Sequence, residues 1–266
     1  MITATLSAEL CSDSIPKRAN TMENNILSIE NLTVSFDGFK AVNDLSLDIE
    51  QNELRVIIGP NGAGKTTLLD IICGKTKPSQ GRVMFGKVDL TSAAEHQIVR
   101  LGVARKFQTP STYEDLSVLE NFEISIPQGR GVLGSLLFRR NKAVMERITE
   151  IANEVFLYDA LDTKAGRLSH GQKQWLEIGM MLIQDPDLLL LDEPVAGMSP
   201  REREKTALLL TKIALGKSLI VIEHDMEFVK KIAKKVSVMH QGALLCEGSI
   251  DDVQHNPRVI EVYLGA

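Results

Sequence analysis

The sequence predicts an α/β fold in which helices wind around a parallel sheet, and three stretches carry that expectation. Leu188–Leu191 is a run of four leucines closed by Asp192-Glu193, and Leu219–Ile222 is a second apolar run closed by Glu223-His224. Unbroken runs of that length suit strands buried on both faces. Helix-like segments lie between them, as crossover connections of a parallel sheet require. The third stretch is Gly59-Pro60-Asn61-Gly62-Ala63-Gly64-Lys65-Thr66, set between the apolar run Leu54–Ile58 and the helix-like Thr67–Ile72.

This third stretch fits the spacing G-x-x-x-x-G-K-[ST] between a strand and a helix, which is the context a phosphate-binding loop needs. Glycines let the backbone approach a polyphosphate and aim N–H groups at it, at a helix N-terminus already suited to anions. Lys65 can reach the β- and γ-phosphates, and the Thr66 hydroxyl can ligate Mg²⁺, with Thr67 following in the same turn. A nucleoside triphosphate is therefore the expected ligand.

Taken in order, residues 1–24 lack an uninterrupted apolar segment of the kind a secretory signal carries, and their composition is that of a disordered tail. Met22 is a possible start, because patterned sequence begins only at Ile26. Three alternating runs, Ile26–Glu30, Thr33–Phe36 and Leu45–Ile49, read as strands, with turns at Asp37-Gly38 and Gln51-Asn52. Arg82–Val88 reads as a short strand, Ala93–Arg100 as a helix and Val103–Phe107 as extended. From Ser117 to Phe156 the pattern is mainly helical, broken at Pro127–Gly131, and Ser117 with Glu120 forms a capping box. Val236–Cys246 reads as a hairpin before a last helix.

Composition sets bounds on this reading. The chain has 266 residues, enough for one large α/β domain or two small ones. A net charge of −5 argues against nucleic acid as a main partner. No apolar run approaches the roughly 18 residues of a membrane span, so any membrane connection has to run through a partner. Cys11, Cys73 and Cys246 are scattered without metal-ligand spacing, which suits a reducing compartment.

The chemistry-bearing residues fall at strand and helix ends. Asp192 and Glu193 sit where α/β sheets bind ligands, Asp192 suited to a Mg²⁺ shell and Glu193 to polarising a water. Alone, two acids ending a strand mean little; beside a phosphate-binding loop they make a catalytic pair. His224, closing the second buried strand, can donate to a phosphate or orient the water, and Gln108 can contact Mg²⁺ or water, although spacing alone assigns neither. Ser169-His170-Gly171-Gln172 opens a helical run to Gln184 with its own capping box. Such an end also presents N–H groups to an anion. With phosphates already held at Gly59–Thr66, a second phosphate-binding end implies a composite site across a dimer.

The series GPNGAGKT, RKFQ, LSHGQ, LLLLDE and IEHD, in that order, resembles the nucleotide-binding subunit of an ABC transporter, from about Ile26 to the end. The resemblance implies a P-loop core with a parallel sheet, an N-terminal antiparallel β subdomain and a helical signature subdomain at about 110–180, all in one domain over 25–266. It implies ATP and Mg²⁺ as ligands, with Thr66, Gln108 and Asp192 at the metal. Phe36 becomes the aromatic ring stacked on adenine, ahead of Phe39. Gln108 becomes the link to the transmembrane partner, Ser169 and Gly171, with Gln172, the groups facing the opposite subunit's γ-phosphate, Glu193 the catalytic carboxylate and His224 the switch histidine.

The implied partners are transmembrane permease subunits, a second ATPase subunit and, indirectly, a periplasmic solute-binding protein, at the cytoplasmic face of the inner membrane. Two departures stand out: His170 replaces the first glycine of Leu-Ser-Gly-Gly-Gln, and Ala196-Gly-Met-Ser199 replaces Ser-Ala-Leu-Asp. Within the family, Pro257–Gly265 is similar to the tail of importers of branched-chain amino acids, amides and urea. Arg105–Pro110 and Leu168–Met180 are most similar to the urea branch. Urea is therefore the expected cargo, with a branched-chain amino acid importer or a lipid exporter as alternatives and a soluble ATP-driven clamp as a remote one.

Overall fold

The computed structural model describes residues 24–106, 112–127 and 141–264, and two sheets organise them. The larger sheet has the order β10-β9-β3-β8-β7-β6. Its strands are β3 (Leu54–Ile58), β6 (Val103–Lys106), β7 (Leu188–Asp192), β8 (Ser218–Ile222), β9 (Lys235–His240) and β10 (Ala243–Gly248). All neighbours pair in parallel except β10, which lies antiparallel to β9 at the edge. The expected terminal hairpin thus exists, but its first strand also pairs with β3 and belongs to the main sheet.

Every residue of β3, β7 and β8 is buried, which accounts for their unbroken apolar sequence. Successive side chains still point to opposite faces. Ile57, Leu188, Leu190, Ile220 and Ile222 enter a core shared with the second sheet. Val56, Ile58, Leu189, Leu191, Leu219 and Val221 enter the core under the other face.

The second sheet is antiparallel, in the order β2-β1-β4-β5, with β1 (Asn25–Phe36), β2 (Phe39–Glu50), β4 (Gln80–Phe85) and β5 (Val88–Asp89). The two alternating runs before Asp37 are one strand, because a bulge absorbs the break between them. Asn31 has φ +47° and the register with β2 shifts between Ile29 and Leu32.

The helices are α1 (Lys65–Ile72), α2 (Glu95–Arg100), α3 (Val118–Ser125), α4 (Lys142–Glu154), α5 (His170–Leu182), α6 (Pro200–Ile213), α7 (Met226–Ile232), α8 (Ile250–Gln254) and α9 (Pro257–Leu264). Capping boxes start α3 at Ser117, α5 at Ser169 and α6 at Ser199, the last with Pro200 in its first turn. α3, α4 and α5 pack through Phe122, Ile148, Ile151 and Ile178 beside the core under the main sheet. No helix among the described residues is long and apolar enough to cross a membrane.

Arg55, wholly buried on β3, joins the two sheets. Its guanidinium donates to Glu53 Oε1 at 2.5 Å, Ser237 Oγ at 2.8 Å, Glu247 Oε2 at 2.9 Å and the Asp48 carbonyl at 3.1 Å. Ser237 and Glu247 belong to β9 and β10, whereas Asp48 belongs to β2. Removing a buried charge while its partners stay costs about 3–5 kcal/mol. Arg55→Leu should lower the unfolding free energy by about 3 kcal/mol in urea titrations, and an unchanged midpoint would show that this bridge contributes nothing.

Candidate functional site

Five segments meet at the carboxyl ends of the central strands. β3 runs into the loop Gly59–Gly64, whose backbone turns directly into α1 at Lys65. Gly64 has φ +95°, and a Cβ there would stand 2.2 Å from the Ala41 carbonyl, so only glycine fits. Lys65 Nζ donates to the carbonyls of Gly59 at 2.7 Å and Pro60 at 3.0 Å. An ammonium has three donors, which leaves one for a phosphate oxygen. Burial lowers the Lys65 pKa, against the pull of Asp192 and Glu193, which raise it.

The Thr66 hydroxyl donates to Asp192 Oδ2 at 3.2 Å. Asp192 is buried at the end of β7, and its second oxygen, Oδ1, is buried without a hydrogen-bond partner. Burial raises its pKa, offset in part by Thr66. A buried anionic oxygen beside a hydroxyl fits a hard divalent cation. Among the described residues there is no group of three or more His, Cys, Asp or Glu that could hold a metal, so such a cation would take its remaining ligands from phosphate and water.

Glu193 follows with φ +48°, a conformation rare for a residue with a side chain, and its N–H donates to the Ile222 carbonyl at 3.0 Å. The turn brings its carboxylate to His224, with Oε1 3.2 Å from Nε2. Both side chains are somewhat over a third exposed, so water reaches them.

Lys65, Thr66, Glu193 and His224 line one cavity of about 270 Å³, bounded also by Phe39, Ala41, Asn61–Gly64, Thr67 and Ile222, with Asp192 buried behind it. Phe39 is the aromatic ring at this cavity. Phe36, the ring expected there, pairs with Phe39 across the Asp37-Gly38 turn but is not among the lining residues. Ser169, Gly171 and Gln172 do not line it either; they sit at the start of α5. Gln108 lies outside the described residues. A larger cavity of about 500 Å³, lined by Asn25, Asn52, Phe85 and Asp187 among others, opens at the opposite ends of the strands. It lacks any convergent set of charged groups, and parallel sheets bind ligands at the carboxyl ends.

Sequence reasoning missed Glu223. Its side chain is buried at the end of β8 and accepts the N–H groups of Val195 at 3.3 Å and His224 at 3.1 Å. It thereby fixes the turns that carry both Glu193 and His224. A carboxylate flanked by an apolar strand and a histidine gives no spacing signal; only its hydrogen bonds to the two turns show its role.

A loop that cradles phosphates, with a carboxylate and a histidine across from it, is the working arrangement of a P-loop nucleoside triphosphatase. The sequence pattern of the ABC transporter family matches residues 42–196, and that of the branched-chain amino acid ATP-binding cassette transporter matches residues 243–266. The chain is 35% identical over 248 residues to a probable branched-chain amino acid transport ATP-binding protein of Archaeoglobus fulgidus, covering 91% of this chain and 96% of that one. It is 34% identical to a high-affinity branched-chain amino acid transport ATP-binding protein of Pseudomonas aeruginosa, over 92% of this chain and 99% of the relative.

Among solved structures, an ATP-binding cassette of an ABC transporter in its ADP conformation superposes with a TM-score of 0.80 at 33% identity, covering 91% of this chain and 99% of that one. A dimeric cassette in a post-hydrolysis state bound to ADP and Pi gives a TM-score of 0.73 at 25% identity, over 84% and 98%. The chain belongs to the ABC transporter family and is an ATP-binding, ATP-hydrolysing subunit of it. The expected architecture, a P-loop core with an antiparallel β subdomain and helical parts, is the one observed.

Burial raises the Glu223 pKa. The folded chain therefore holds that proton to higher pH than the unfolded chain does. Its contribution to stability is largest below the unfolded carboxyl value, about 4.3, and falls as pH rises through the raised folded value. Glu223→Gln is neutral throughout. The stability of this variant relative to wild type should rise as pH increases from about 4.3 through the raised folded value, read as urea midpoints of the protein without nucleotide. A constant difference would show that Glu223 ionises alike in both states.

Proposed function

We propose that this chain hydrolyses ATP to drive an importer, working head to tail with a second ATPase subunit, and that the cargo is a branched-chain amino acid. The single observation that carries the hydrolytic reading is the convergence of Lys65, Thr66, Glu193 and His224 on one cavity at the strand ends. The dimeric relative and the two branched-chain relatives support the assembly and the cargo. They favour this cargo over urea, the first expectation.

In this reading the loop N–H groups and Lys65 hold the β- and γ-phosphates, and Phe39 packs on the adenine. Thr66 and Asp192, with Gln108, would hold Mg²⁺, which would supply charge neutralisation at the phosphates. Glu193 accepts a proton from a water whose oxygen attacks the γ-phosphorus, while the bond to the bridging oxygen breaks and ADP carries the electron pair away. His224, whose Nε2 lies 3.2 Å from Glu193 Oε1, keeps that carboxylate aimed at the water. Ser169 and Gly171 close over the γ-phosphate held by the partner. Permease subunits hold the ATPase pair at the cytoplasmic face of the membrane, a periplasmic binding protein delivers solute, and Gln108 relays closure to the permease.

Glu193→Gln should lower the hydrolysis rate by about 10²–10⁴-fold while ATP stays bound, measured as phosphate release alongside filter-retained nucleotide. Normal turnover would remove Glu193 from the proton-accepting role. In cells lacking this gene, labelled leucine uptake should return with wild type and not with Glu193→Gln. Leucine uptake unaffected by the deletion, with urea uptake lost, would replace the cargo and leave the ATPase reading intact.

A further inference from the structure

Glu202 joins the starts of two helices. At the third position of α6, its Oε2 accepts from the Ser199 N–H at 2.8 Å and the Ser199 hydroxyl at 2.7 Å, the helix's own cap. Its other oxygen reaches outside that helix. Glu202 Oε1 accepts the Ser169 hydroxyl at 3.2 Å, and the carboxylate lies so close to Gly171 that a Cβ there would stand 2.3 Å from Oε1. An anion is thus seated on the first turn of α5, the helix end that the composite-site reading turns toward the partner's γ-phosphate.

The hydrogen-bond inventory sharpens the point. A serine hydroxyl has one proton to donate. The Ser169 oxygen accepts the Gln172 N–H at 3.2 Å, and its proton is given to Glu202. Ser169 cannot donate to a phosphate while it donates to Glu202. Hydrogen bonds from Ser199 hold the Glu202 carboxyl below its ordinary range, so it is an anion at neutral pH. Two anions cannot share one helix end without repulsion.

We propose that Glu202 is an internal competitor for the signature end of α5: its carboxylate holds, within the single subunit, the place and the serine proton that the partner's γ-phosphate must take. Closure of the ATP dimer then requires Glu202 to leave Ser169, which raises the ATP concentration needed to close it. The proposal rests on the head-to-tail reading and adds to it a residue that sets the closing threshold.

The test uses the full chain in a Glu193→Gln background, so that bound ATP persists, with dimer formation followed by light scattering across a Mg-ATP titration. Glu202→Gln keeps the α6 capping box, which glutamine also satisfies, and removes the charge. Glu202→Asp keeps charge and cap, as Asp252 does for Ser249 in this same chain, but is one methylene too short to hold Ser169 as well. The ATP midpoint should fall by about fivefold or more for Glu202→Gln and by less for Glu202→Asp, with the unfolding midpoint of nucleotide-free protein unchanged. Midpoints equal to or above the parent in both variants would overturn the proposal. If the Glu193→Gln parent itself forms no dimer with ATP, the head-to-tail reading fails and the proposal with it, whereas a dimer with an unmoved midpoint removes the proposal alone.

Discussion

The structure depends on a contact between backbones. The phosphate-binding loop is clamped from two sides by main chain: the Ala41 carbonyl of β2 lies against Gly64, and the Met239 carbonyl of β9 lies against Gly59. The β9–β10 turn completes the clamp, with the Gly242 N–H donating to the Ala63 carbonyl at 3.1 Å and its carbonyl accepting from Asn43 at 2.9 Å. A side chain at Gly64 would push against β2 of the second sheet, and one at Gly59 against β9 of the main sheet. Both sheets therefore serve one purpose, which is to hold a row of N–H donors where an anion arrives. Donors fixed in this way need no reorganisation when charge develops, and that is what makes such a site effective.

Around that clamp the charges are buried in opposed pairs. Lys106 Nζ, fully buried at the end of β6, lies 3.6 Å from Glu177 Oε2 of α5, and Arg105 pairs with Asp70 of α1. Burial pulls the Lys106 pKa down while Glu177, Asp192 and Glu223 pull it up. The catalytic end of the sheet thus carries its acids within reach of buried cations, a balance in which loss of either sign leaves the other uncompensated. Glu177 places one such partner on the same helix as Ser169, so the core of α5 answers to the strand that leads toward Gln108.

Much of this was legible in the sequence because the relevant signals are local. Four leucines ending in two acids fix a central strand and its ligand-binding end; a glycine-rich loop before a lysine fixes the phosphate site; serine boxes fix where α3, α5 and α6 begin. What was not legible depends on contacts between distant segments. Phe36 and Phe39 are both aromatic rings flanking the Asp37-Gly38 turn, and only the folded chain shows that Phe39 is the one lining the cavity. Asn31 interrupts an alternating pattern that continues beyond it, because a bulge costs one residue and leaves no mark in hydropathy. Glu223, Arg55 and Glu202 act through partners far away in sequence, and a lone charge has no period by which to find it.

The post-strand turn explains how the replaced residues fit. Glu193 leaves β7 in a left-handed conformation, and its carbonyl accepts the Ala196 N–H at 3.2 Å, so the chain doubles back at once. The Ala196 carbonyl faces outward and is met by His170 Nε2 at 3.0 Å, while the ring lies against Gly197. A glycine at 170 would leave the Ala196 carbonyl without this side-chain partner; histidine supplies it. Further along, in α6, Arg203 donates to the Met198 carbonyl at 3.1 Å and pairs with Asp225, beside His224. The turn that aims Glu193 is therefore held at one end by the residue that follows Ser169 and at the other by the residue that follows His224. Within this chain, the turn that carries Glu193 and the start of α5 are thus joined through His170 and the Ala196 carbonyl.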